Sequence, residues 1–112
     1  MAKLNVINPN DLTWKDSLTG APGCASKKVY IYDSGAYTCH YRFTPGAAYL
    51  PAYIIGQPCE LFVTSGTLLI NGEPVTAGNW AQVLPDDKSA IVFSSEVGCE
   101  VIGIVRGGIR LA

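Results

Sequence analysis

A small all-β fold, sandwich or barrel, is predicted for this chain by three observations. No window holds helical periodicity over three turns. Short runs rich in Val, Ile, Thr, Tyr and Phe recur at intervals of about eight to twelve residues. The breaks between them draw on 12 Gly and 7 Pro, glycine because it accepts positive φ and proline because it fixes φ and removes a donor. With 112 residues, 48% of them hydrophobic, residues 1–112 are expected to form a single domain that buries about two-thirds of its unfolded surface.

Taken in order, residues 3–7 alternate apolar and polar and read as an edge strand; Asn8-Pro9-Asn10-Asp11 breaks it, and Trp14 follows as an anchor. Residues 17–26 hold Gly20, Pro22 and Gly23 and read as a surface loop. Residues 28–32 are β-branched and aromatic, a strand, and Asp33-Ser34-Gly35 is a hairpin turn. Residues 36–43 alternate cleanly. Tyr37, Cys39, Tyr41 and Phe43 share one face, and Ala36, Thr38, His40 and Arg42 the other. This strand therefore divides a dry side from a polar one, and alternation leaves open which side is interior.

Residues 47–55 form the next strand, Gly56-Gln57-Pro58 ends it, and residues 59–64 and 67–70 are two strands about a turn at Ser65-Gly66. Asn71-Gly72 is the strongest hairpin motif in the chain, since a type I′ turn needs positive φ at both central positions. Residues 74–77 and 80–84 follow, residues 85–88 turn again, residues 90–94 form a strand, and residues 99–105 close the series. One antiparallel core is expected.

Charge and targeting exclude several classes. A net charge of −1 offers no field for nucleic acid or anionic lipid, because backbone binding requires clustered Lys or Arg. The N-terminus lacks an apolar signal core, and no segment approaches the roughly 18 apolar residues of a membrane span. A cytoplasmic protein without nucleic-acid or membrane partners is expected. Cys24, Cys39, Cys59 and Cys99 are too dispersed for a zinc ribbon or a redox C-x-x-C pair and read as free buried thiols. Neither a phosphate loop nor a dinucleotide fingerprint is present.

Gly46 and Gly66 bracket an apolar strand pair, and Gly78 opens a second such segment; in this glycine frame the chain resembles the cupins, small double-stranded β-helix domains with a first motif G-x5-H-x-H-x3,4-E-x6-G and a second G-x5-P-x-G-x2-H-x3-N. The glycine frame is kept from Gly46 to Gly66 and from Gly78 onward. Leu12-Thr13-Trp14, Arg42-Phe43-Thr44-Pro45-Gly46-Ala47 and Gly98-Cys99 are similar to segments of the ChrR-like, anti-sigma-factor type of single-domain cupin. The resemblance covers residues 12–106. It implies a jelly-roll-like small barrel, and a metal held by three histidines and a carboxylate.

The ligand positions do not carry those residues. Counted back from Gly66, the histidine positions fall on Tyr53 and Ile55 and the carboxylate on Cys59 or Glu60; counted forward from Gly46, the histidines fall on Ala52 and Ile54. In the second motif Leu84 stands for proline, Asp86 for glycine and Ser89 for the last histidine. Such a set does not supply the nitrogen donors that hold a first-row metal. A makeshift site of Cys59, Glu60 and His40 is a weaker reading than an apolar lining, because Tyr53, Ile55, Cys59, Leu61 and Val63 recur with period two.

His40 is the only histidine, so acid–base chemistry near neutral pH would use it. Arg42 shares its face. The expected function is metal-free binding of a small organic ligand in an apolar, tyrosine-rich cup, by a homodimer without cofactor, with His40, Arg42, Tyr53, Ile55, Cys59, Glu60 and Ser89 as the contact set. Two alternatives stand beside it: a metal-independent isomerase or lyase with His40 as base and Arg42 or Tyr53 orienting substrate, and a protein-interaction module without ligand.

Overall fold

The computed structural model describes residues 3–16, 22–85, 90–107 and 109–111, with residues 50–54 and 109–111 described by backbone alone. Its strands are β1 (Lys15–Asp16), β2 (Cys24–Ile31), β3 (Tyr37–Phe43), β4 (Ala47–Ile55), β5 (Cys59–Ile70), β6 (Glu73–Thr76), β7 (Trp80–Val83), β8 (Ile91–Ser95), β9 (Cys99–Val105) and β10 (Ile109–Leu111). Their order is β1-β2-β3-β9-β5-β8-β4-β10, with β6 and β7 pairing to β5 beside that path. Each of these pairings is antiparallel. The sheet curls into a half-barrel, and its concave side carries the core, centred on Ile55, Val63, Leu68 and Val101.

β5 makes the curl possible. Its first half pairs with β9 and β7, its second half with β8 and β6. A register shift falls between Val63 and Ser65, and Gly66 follows at φ +72°. The expected turn at Ser65-Gly66 is thus a bend within one strand: the chain changes sheets there without reversing. Gly66 is required twice over, by its left-handed backbone and because a Cβ would run into the Gly98 carbonyl oxygen. Asn71 and Gly72 have φ of +49° and +82°, the two positive values a type I′ hairpin demands. The Asn71 side chain also accepts a hydrogen bond of 2.8 Å from the Val92 amide, fastening this hairpin to β8.

The ends of the chain depart from the sequence reading. Residues 3–7 are not a strand; Leu4 and Val6 alternate as expected but lie 89% and 78% exposed, with no partner to bury them. A single 3-10 turn (Pro9–Asp11) follows, capped by the Asn8 side chain, which accepts from the Asn10 amide at 3.0 Å. The loop expected over residues 17–26 ends sooner, since β2 begins at the buried Cys24; residues 17–21 lie outside the described residues, as do residues 86–88 of the expected turn at 85–88. At the other end β9 does not close the series. β10 comes after it and pairs with β4 through Ile109–Ile55, Arg110–Ile54 and Leu111–Tyr53. The four cysteines are all buried free thiols.

Candidate functional site

The face of β3 that carries Tyr37, Cys39, Tyr41 and Phe43 is the concave one. Antiparallel register puts Tyr37 beside Val105 of β9, which neighbours Cys59 of β5, and puts Tyr41 beside Val101. The opposite wall comes from β4 and β8, where Tyr49 pairs with Phe93. Between Tyr49 and Tyr53 the β4–β8 ladder shifts register, at Pro51, which has no amide hydrogen to give. Ile55 resumes the inward row and is buried.

These walls enclose a cavity of about 80 Å³, lined by Tyr37, Tyr41, Phe43, Tyr49, Ile55, Cys59, Leu61, Leu68, Phe93, Val101 and Val105. That is several times the roughly 10–15 Å³ needed to hold one water, in walls that are apolar except for three phenols and one thiol. Tyr41 owes its position to a missing side chain. A Cβ on Gly103 would meet Tyr41 Cε2 at 2.8 Å and Leu61 Cδ2 at 3.1 Å, so the glycine lets the ring lie against the sheet. Burial raises the Tyr41 pKa well above its ordinary value. Burial likewise pushes the Cys59 thiol up to about 11. Both groups are neutral at physiological pH, and the cavity contains no charge among its described lining residues.

The polar face of β3 points away from this cavity. His40 lies in register with Lys27 on one side and Ile102 on the other, its ring 4.9 Å from that of Trp14 and its Nε2 3.6 Å from Glu100 Oε1. The Trp14 ring is also approached by Lys27 Nζ at 4.4 Å and Arg42 Cζ at 4.3 Å, and Lys27 Nζ donates to the Pro9 carbonyl at 2.9 Å. Together these contacts strap the N-terminal segment across the convex side of β2 and β3, which is the anchoring role the sequence suggested for Trp14. Burial lowers the His40 pKa, and the Glu100 carboxylate opposes that shift only in part. The imidazole is neutral at pH 7. Glu60 is on the convex side as well, in register with Gln82 and Ile104, where its carboxylate accepts from Arg106 Nη1 and is held below the usual range by that hydrogen bond.

Of the contact set read from the sequence, Ile55 and Cys59 come together in the cavity, while His40, Arg42 and Glu60 sit on the far side of the sheet. Tyr53 contributes backbone pairing to Ile91 and Leu111, its side chain falling outside the described residues. Ser89 also lies outside the described residues. The reaction scheme with His40 as a base inside the barrel is corrected by this geometry. Aromatic alternation turns the dry face inward, so the imidazole at the intervening position must face out. The cavity instead gains Tyr37, Tyr41, Tyr49 and Phe93, which the contact set omitted. Tyr37 and Tyr41 were recoverable from the alternation of residues 36–43, and nothing short of the β4–β8 register could place Tyr49 and Phe93 together.

A metal of the kind carried by three imidazoles and a carboxylate does not fit these residues. Cys59 is the only thiol among the described lining residues, which include no imidazole and no carboxylate, and the chain's one imidazole is on the convex side. Among the described residues no three His, Cys, Asp or Glu side chains gather into a possible cation site. Nor, among them, is any helix long and apolar enough to cross a membrane.

Compared by sequence, no protein-family model and no curated protein matches the chain. Compared by structure, it is similar to an acetylacetone dioxygenase from Acinetobacter johnsonii, at 15% identity, covering 99% of this chain and 78% of that one with a TM-score of 0.77. A protein of unknown function with a cupin-like fold from Ralstonia eutropha JMP134 is 21% identical, with coverage of 99% and 79% and a TM-score of 0.80. The anti-sigma ChrR of Rhodobacter sphaeroides, in complex with SigE, is 15% identical, with coverage of 88% of this chain, 50% of the other and a TM-score of 0.68. At such identities the likeness is one of fold. The curled antiparallel half-barrel described above is a cupin-like fold.

Proposed function

We propose that this cupin-fold chain binds a small organic molecule in its tyrosine-rich cavity without a metal, as a carrier or sensor and not as a catalyst. The observation that carries the reading is the cavity itself. Where the resembling motif would place imidazoles and a carboxylate, Ile55 and Cys59 face a space walled by Tyr37, Tyr41, Tyr49 and Phe93. Such walls favour a planar apolar guest: aromatic rings contribute large contact area and prefer offset or edge-to-face partners. An uncompensated ion would lose its hydration inside. The run Arg42-Phe43-Thr44-Pro45-Gly46-Ala47 and the likeness in fold to ChrR support the sensor form.

Thermal shift against a library of small aromatics and a panel of divalent metals tests the reading. A ligand that binds only the native state stabilises it by about 2.7 kcal/mol at a hundred times its Kd, a Tm rise of about 10 °C for a chain of this size. That rise is expected with single-ring compounds and not with metals. Near-stoichiometric Fe, Mn, Ni or Zn in protein purified without chelator would overturn the proposal.

A further inference from the structure

The described wall of the cavity is neutral, but a cation lies against one of its rings. Alternation along β2 sends the buried Lys27 to the convex side and its neighbour Lys28 to the concave side, in register with Cys39. Lys28 is exposed, and its Nζ is 4.6 Å from the centre of the Tyr37 ring, one of the rings that line the cavity. No described carboxylate lies within ion-pair distance of it: the described ion pairs are His40–Glu100 and Glu60–Arg106, both on the convex side. Among the described residues, a cation with no counter-charge in ion-pair reach therefore stands one strand out from the wall of an apolar well whose described lining carries no charge.

From this juxtaposition we infer that the preferred guest is an amphipathic monoanion, an aromatic carboxylate whose ring enters the well and whose carboxylate stays at the mouth beside Lys28. The inference rests on the ligand-binding reading above and adds a charge and an orientation to it. Desolvation forbids the reverse orientation, since a carboxylate among Leu61, Leu68 and Val101 would have no cation and at most a phenol to answer it. At the mouth the carboxylate keeps most of its water and gains the ammonium group. Exposed pairs of this kind change affinity about two- to fivefold, and salt weakens them. A cationic guest of the same shape meets repulsion at the same place.

The test uses the full chain and three probes of one shape, phenylacetate, phenylacetamide and phenethylamine, by isothermal titration at low and high salt. In low salt phenylacetate is expected to bind about two- to fivefold more tightly than the amide and the amine more weakly than either. The preference should vanish at high salt and in Lys28→Gln, and invert in Lys28→Glu, with the amide's affinity the same in all three proteins. Equal affinity of acid and amide in the wild type, or a preference for the acid that survives in Lys28→Gln, overturns the inference while leaving the cavity as a ligand site. Failure of all three probes to bind removes both. Lys28 is exposed, so circular dichroism of the two variants is expected to match the wild type; should Lys28→Glu misfold, the Lys28→Gln comparison and the salt series decide alone.

Discussion

Gly103 sets the shape of the cavity by what it lacks. Its backbone does not have a positive φ, so the demand for glycine comes from the Tyr41 ring above it. In Gly103→Ala the new methyl must displace that ring or Leu61 Cδ2. Overpacking of this order costs about 1–3 kcal/mol, and the entropy removed from the unfolded chain returns only about 0.4–1 kcal/mol. Urea titration is expected to show a net loss of about 1 kcal/mol, and the ligand-induced Tm rise should shrink as the displaced ring narrows the well. Unchanged stability together with unchanged ligand response would show that Tyr41 has another place to go. At this scale the sequence was a partial guide. The alternation of residues 36–43 identified the dry face, whereas His40 drew the chemistry toward the wrong side, because the rarity of a histidine in a chain says nothing about the direction in which it points.

At the scale of elements, β5 holds the two halves of the sheet together, and Gly66 is where it bends. Gly66→Ala would combine a left-handed backbone, costing about 1–3 kcal/mol for a residue with Cβ, with a collision against the Gly98 carbonyl. Chemical denaturation is expected to register a loss at the upper end of that range or beyond. The control is Gly72→Ala in the Asn71-Gly72 hairpin, which has open space around its Cβ position and so carries the backbone cost alone. Equal losses in the two variants would mean that the Gly98 contact adds nothing. The strands themselves were largely legible, with residues 47–55 and 99–105 matching β4 and β9 end to end, because period-two patterning records which side of a sheet is buried. Ser65-Gly66 misled because glycine marks a close approach of backbones as readily as a turn. The three residues of β10 are too few for a period, and residues 3–7 carry a strand's pattern without a strand's partner.

For the molecule as a whole, the convex side governs its response to acid. Trp14, Lys27 of β2, Arg42 of β3 and Glu100 of β9 all face His40. Because burial sets the folded pKa of His40 below its ordinary 6.5, the unfolded chain takes up a proton first as pH falls. Stability from this group is therefore complete above 6.5 and declines as pH drops below it. Urea midpoints measured at decreasing pH should fall across this window in the wild type and stay level in His40→Gln. The Glu60 carboxyl, held below 4.5 by Arg106, adds its own loss only at lower pH. A slope that persists in His40→Gln would assign the effect to another group. The same arrangement fixes how the protein can be watched. Both indoles lie outside the cup, Trp14 in the N-terminal strap and Trp80, 60% exposed, tilted against Phe62, while three phenols line the cup. Tryptophan emission will therefore report detachment of the strap and stay nearly silent when the cup fills, whereas the ultraviolet absorbance and emission of tyrosine will report the guest, giving two optical channels within a single unlabelled chain.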